Sequence, residues 1–178
     1  REWNWSERQD VLQRCRLVWE RNPIANTAVT LTTLFCVGKG LQLTTTAEEV
    51  KQVLDDFMKD PDNDFEGAET EYLDSLQVDG ELFIRLFTER GKTLMVSLEP
   101  WHVPHIRTDK LITRRRLEYH YVAQVTDCEG YPSVNELVDE WIPAEDVIHI
   151  AINRAHREVR GRSELFRLLP WLKAQKDG

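Results

Sequence analysis

Apolar positions repeat with helical spacing through the first part of the chain and then change period. Val11, Leu12, Cys15, Val18 and Trp19 fall at i, i+1, i+4, i+7 and i+8, which predicts an amphipathic helix. Ser6 and Gln9 have the spacing of a capping box in front of it. Asn22 and Pro23 should end that helix and begin a second, since Asn is a favoured N-cap and Pro is tolerated at the first helical position. Gly38 and Gly40 should end the second. After the extended stretch "LQLTT", Thr46 and Glu49 suggest another capping box, followed by a helix carrying Val50, Val53, Leu54, Phe57 and Met58 on its apolar side. Phe65, Ala68, Tyr72, Leu73 and Leu76 then mark a helix ending near Gly80.

Beyond Gly80 the period becomes two. "ELFIRLFTE", a turn at Arg90-Gly91-Lys92 and "TLMVSLEP" predict a hairpin with Leu94, Val96 and Leu98 on one face. "LEYHYVAQV", "DEWI" and "VIHIAI" predict further strands, separated by "DCEGYP" and "PAED". Near the end, Ser163 is placed as an N-cap for a helix with Leu165, Phe166, Leu168, Leu169 and Trp171, and Pro170 should end or kink it near Leu169. The expected fold class is therefore α+β: N-terminal helices, an antiparallel sheet of short strands, and a C-terminal helix. One domain is expected, with a helical part over 1–80, a β part over 81–153, and a loop and final helix over 154–178.

Composition fits this outline. Of 178 residues 41% are hydrophobic and 30% charged, enough for a packed core. No run reaches the eighteen or so apolar residues of a transmembrane helix, the longest being "AVTLTTLFCVG". Cys15, Cys36 and Cys128 are an odd set without paired spacing, which encodes neither a disulfide framework nor a zinc knuckle. The net charge of −8, from 31 acidic against 23 basic residues, opposes a protein that grips nucleic acid over its whole surface. Starting at Arg1 and stopping soon after a helix start, the chain is expected to be part of something longer.

Motifs that would carry chemistry are incomplete. Asp60, Asp62, Asp64 and Glu71 match four positions of an EF-hand calcium loop, but Phe65 stands where that loop needs glycine and Pro61 stiffens it. Helix capping by Asp64 is the simpler reading, and a calcium-responsive interaction module built on residues 60–71 is the alternative function. His102, His105, His120, His149 and His156 lack Cys or acidic partners at ligand spacing. "VGKG" has Thr33 and Gly40 where a Walker loop needs Gly and Ser or Thr. No catalytic residue, metal site or cofactor is expected. Two basic runs remain, Arg114-Arg115-Arg116 and Arg154, Arg157, Arg160 and Arg162. Arg114, Arg115, Arg116, Arg157, Arg160 and Arg162 are the candidates for subunit or DNA-phosphate contacts, against a merely solvated surface. Trp3, Trp5 and the last helix are candidate interface anchors.

Four stretches in order resemble one family. "RCRLVWERNPIANTAVTLTTLFCVGKGLQL" resembles the opening of tailed-bacteriophage portal proteins, "VDGELFIRLF" their Gly-Glu-led strand, "IPAEDVIHI" their histidine-bearing strand, and "RGRSELFRLLPWL" the Arg-Gly-x-Ser start of their next helix. The resemblance implies a structural, non-enzymatic subunit of a ring, commonly of twelve copies, at a capsid vertex of the virion, assembled in the bacterial cytoplasm. Double-stranded DNA would pass through the channel during packaging and ejection. Implied partners are the large terminase subunit, head-completion or tail-connector proteins, and scaffold or capsid proteins, with no membrane. The segment looks like the peripheral wing, and stem, clip and crown should follow it. An acidic chain suits such a channel, because it repels phosphates rather than holding them.

Overall fold

A computed structural model describes residues 3–38, 40, 44–126, 132–156 and 158–171, with only the backbone described at 125, 126 and 132–136. Four helices come first: α1 (Trp5–Arg21), α2 (Pro23–Val37), α3 (Glu48–Lys59) and α4 (Phe65–Asp79). Six strands follow: β1 (Glu81–Glu89), β2 (Lys92–Leu98), β3 (His105–Thr108), β4 (Arg116–Thr126), β5 (Pro132–Pro143) and β6 (Val147–Ala151). The fold is α+β, as the change of period predicts.

Local chemistry accounts for the helix boundaries. Asn22 serves both sides of the α1–α2 junction: its backbone N–H donates to Val18 O, and its side-chain oxygen accepts from the N–H groups of Ile24 (2.9 Å) and Ala25 (3.1 Å). Pro23 follows at the first helical position, as expected. The α1 capping box is formed by Asn4 and Glu7 rather than by Ser6 and Gln9, so the helix starts earlier. The expected Thr46–Glu49 box is also replaced: Ala47 occupies the α3 N-cap without a side-chain bond. Asp64 does stand at the N-cap of α4, but in a left-handed conformation and without a capping hydrogen bond from its side chain.

The strands form two sheets where one was expected. The first has order β2-β1-β6 and the second β3-β4-β5, all pairs antiparallel. The β1–β2 hairpin pairs Phe83 with Leu98 at one end and Glu89 with Lys92 at the other, around an Arg90-Gly91 turn in which both residues have positive φ. Leu98 is buried, whereas Val96 on the same face is exposed, so the hairpin leaves the core before its tip. Strand β3 was not foreseen, because Pro104 and two histidines obscure a four-residue pattern.

Two cores result. Phe83, Leu98, Val103, Tyr119, Ile142 and Val147 pack between the sheets, and Cys15, Ala25, Val29, Val78 and Leu165 pack among α1, α2, α4 and the C-terminal segment. That segment is the expected short C-terminal helix, opening as a 3-10 helix over Glu164–Leu168 and continuing as α-helix through 169–171. Ser163 caps it as expected, its hydroxyl accepting from the Leu165 N–H at 3.0 Å. Only Leu165 of its apolar residues is buried; Leu168 and Trp171 are exposed.

Asn63 fastens the α3–α4 loop to the sheet edge. It is 4% exposed; its amide donates to Phe57 O (3.0 Å) and Thr93 O (3.2 Å), and its carbonyl oxygen accepts from the Met95 N–H (2.9 Å). Asn63→Ala strands that Met95 N–H and is expected to lower stability by about 2 kcal/mol, read as a shifted urea midpoint. Faster amide exchange at Met95 should accompany it, and an unchanged midpoint would show the loop to be uncoupled from β2.

Candidate functional site

The turn from α4 into β1 reads Asp79-Gly80-Glu81, and each carboxylate meets an arginine. Gly80 closes α4 in the left-handed conformation (φ 82°), its N–H donating to Leu76 O while its carbonyl accepts from the Ile152 N–H at 2.9 Å. Here a second glycine crosses it. A Cβ on Gly161 would lie 1.8 Å from Gly80 O, and one on Gly80 would lie 2.1 Å from the Arg162 carbonyl carbon. Only two glycines let these backbone segments approach so closely.

This crossing delivers Arg160 to Glu81, which is completely buried. Arg160 donates to the Glu81 carboxylate from Nε (2.9 and 3.0 Å) and Nη2 (2.5 Å), and its other bonds run to Val103 O (2.6 Å) and Pro100 O (3.3 Å). The Gly161 N–H donates to Glu81 Oε2 at 3.2 Å. Arg8 of α1 donates to Gly161 O at 2.9 Å and stands 3.6 Å from Glu81. His149 of β6 stacks on Phe83 with ring centroids 4.2 Å apart and brings Nε2 to 3.5 Å from Glu81 Oε2. Next to this cluster, Arg16 of α1 forms a two-pronged bond to Asp79 (2.9 and 2.7 Å), reaches Glu99, and lies 3.8 Å from the Trp101 ring centre.

Electrostatics fix the protonation states. Burial alone would raise the Glu81 pKa, but the Arg160 charge, the His149 imidazole beside it, the hydrogen bonds from Arg160 and the Arg8 charge outweigh it and hold the carboxyl well below the ordinary range. Burial brings the His149 imidazole down to about 4, against the upward pull of Glu81. The cluster at neutral pH is thus a carboxylate, two guanidinium groups and a neutral imidazole. Glu81 has no surface at which to meet a substrate, so the arrangement acts as a latch joining α1, β1, β6 and the C-terminal segment.

The expected basic runs are separated by the fold. Arg114 and Arg115 are exposed in the β3–β4 loop, and Arg116 is half-buried, donating to His149 O at 3.3 Å and so tying β4 to β6. Arg160 must be corrected: engaged with Glu81 in the interior, it presents nothing to a phosphate. Arg162 is also occupied, with bonds of 3.0 and 2.5 Å to Glu158. Arg157 lies outside the described residues. Trp3 and Trp5 are half-buried within the chain, Trp3 edge-on to Phe166 at 4.8 Å and Trp5 beside Arg160 at 5.8 Å.

Histidines and acidic groups take structural positions. His105, His120 and Trp141 stack in a row across β3, β4 and β5, with centroid separations of 5.8 and 4.6 Å, and His120 Nε2 meets Asp139 at 2.7 Å. In the loop expected to resemble an EF-hand, Asp60 accepts from the Asp62 N–H and from Lys92, while Asn63 turns inward. Among the described residues no group of three or more His, Cys, Asp or Glu side chains is arranged to hold a metal ion. Sequence reasoning passed over Glu81 and Asp79. The available signal was two carboxylates around a glycine at the head of an apolar strand, a place where an acidic group requires a buried partner.

These features define an α+β module of two small sheets and a helical layer, closed by a sealed ionic latch. Neither a protein-family model nor a curated protein matches the chain.

Proposed function

We propose that this chain is the wing-like part of a portal-type ring subunit, a structural element of a channel for double-stranded DNA at a tailed-phage capsid vertex. The observation that carries this reading is the meeting of all four stretches behind the resemblance around one turn. Arg16 from the first binds Asp79; Gly80 and Glu81 belong to the second; His149 of the third contacts Glu81; Arg160, Gly161 and Ser163 of the fourth close the site. Residues scattered over the sequence thus serve one structural purpose, which favours a shared architecture over four coincidences. In this reading the terminase motor, connector proteins, and scaffold or capsid proteins are partners of the assembled ring, and the acidic surface lets DNA pass without adhering.

The test is the native mass of the polypeptide as encoded, by light scattering, with electron microscopy of the same sample. A large closed ring with a central channel is the expected result. A particle that stays monomeric across salt conditions would sink the reading.

A further inference from the structure

Two exposed patches of opposite character lie towards different edges of the first sheet. The first is the β3–β4 loop. Leu111 is 94% exposed and Ile112 is 50% exposed, flanked by exposed Lys110, Arg114 and Arg115. This apolar tip is held out by the Asp109 side chain together with the loop's own backbone. Asp109 Oδ1 accepts from the Leu111 and Ile112 N–H groups (2.8 and 2.9 Å), the Asp109 N–H donates to Arg115 O (2.9 Å), and the Arg115 N–H donates to Ile112 O (2.8 Å). The loop is ordered before it meets anything, so docking it loses little conformational freedom.

The second patch is α3. Its sequence is strongly amphipathic, yet none of its residues is buried, and Val53 is 67% exposed. Between α3 and the start of β2 runs a groove of about 550 Å³, with Val53 and Phe57 as its apolar lining and Asp56 and Asp60 among its polar groups. Of the two lysines that share it, Lys92 is engaged with Asp60 at 2.7 Å, leaving Lys59. The groove lining itself is balanced in charge, but over residues 48–64, which form α3 and the loop after it, seven carboxylates stand against two lysines.

Strand order keeps the two apart. The groove adjoins β2, one edge of the first sheet, whereas the loop springs from Arg116, which is bonded to β6 at the other edge. We infer that the basic, apolar-tipped loop at 109–115 of one copy docks in the apolar groove beside the acidic helix α3 of the next copy. Apolar tip meets apolar lining, arginines meet carboxylates, and the pair keeps one unused loop and one unused groove. The contact is therefore head-to-tail, the symmetry class that yields rings or open chains. It rests on the ring reading for closure of the assembly, and on these two patches for the contact itself.

Complementary variants test it. Leu111→Asp with Arg114→Glu spoils the loop and leaves the groove intact; Val53→Lys with Asp56→Lys spoils the groove and leaves the loop intact. All four side chains are exposed, and circular dichroism of each variant should match the parent. In sedimentation equilibrium at low ionic strength, the parent chain is expected to form concentration-dependent multimers larger than a dimer. Each variant alone should associate about tenfold more weakly or worse, and their equimolar mixture should stop at a one-to-one dimer, since only one competent pair of patches remains. A parent that stays monomeric, a variant that associates like the parent, or a mixture that stays monomeric would overturn the inference. A closed ring of the encoded polypeptide that survives both sets of substitutions would remove this contact and leave the portal reading intact. Dimer formation in the mixture beside an encoded polypeptide that never closes into a ring would do the reverse.

Discussion

Gly161→Ala is expected to leave the chain largely unfolded under conditions where the parent is stable. The new methyl carbon would sit 1.8 Å from the Gly80 carbonyl oxygen and 2.7 Å from its carbon, contacts that rotating a side chain cannot relieve because both neighbours are backbone. Separating the segments would also pull Arg160 away from Glu81 and break the bond from the Arg162 N–H to Ile152 O. The expected loss is more than about 3 kcal/mol, beyond the usual range for overpacking. Gly91→Ala is the control: it has positive φ but open space around it, and should cost about 1 kcal/mol. Urea titration followed by circular dichroism separates the two. A Gly161→Ala midpoint no lower than that of Gly91→Ala would show that the crossing is not a constraint.

Removing Glu81 should be comparably severe. Glu81→Ala leaves Arg160 and Arg8 buried near each other without their carboxylate, an expected loss of about 3–5 kcal/mol, whereas Glu81→Leu combined with Arg160→Met should recover most of it. The cluster also sets the acid limit of the fold. His149 stays neutral in the folded chain down to about pH 4, while an unfolded histidine protonates near pH 6.5. Between those values the unfolded state binds more protons, so stability falls as pH falls, by on the order of 3 kcal/mol in all. Glu81 acts in the same direction at lower pH, because its folded pKa is depressed and its contribution, present above the ordinary value of 4.5, is lost below it. His149→Phe should flatten the upper part of this profile and leave the lower part. A parent chain equally stable at neutral pH and near pH 4 would contradict the assignment of a neutral buried His149.

The elements that the sequence predicts well are those whose signals are local. Asn22-Pro23 carries both a stop and a start within two residues, and the period of two in "ELFIRLFTE" followed by Arg90-Gly91 specifies a hairpin without help from elsewhere. The α1 cap moved because two overlapping pairs satisfy the same spacing rule, and Asn4 with Glu7 forms the reciprocal bonds. Glu158, the partner of Arg162, stands only four positions from it, whereas Arg160 reads as surface charge because its partner, Glu81, lies 79 positions away and is identified only by three-dimensional proximity. The division into two sheets was hidden for the same reason: β1 pairs with β6 across the whole second sheet, and no local pattern encodes that return. The site was legible as fragments whose common purpose was not.

The latch also bears on how the chain is made. Leu165 completes the core of the helical layer, and Arg160 and Gly161 complete the contacts of Arg8 and Glu81, so α1 cannot finish packing until the segment at 160–165 emerges from the ribosome. At about 5–20 residues per second, α1 waits roughly seven to thirty seconds with part of its apolar face uncovered, while both sheets form between it and its missing partner. The exposed interval is built into the order of the elements, and a chaperone that binds nascent apolar helices would meet the Cys15 face of α1 throughout it.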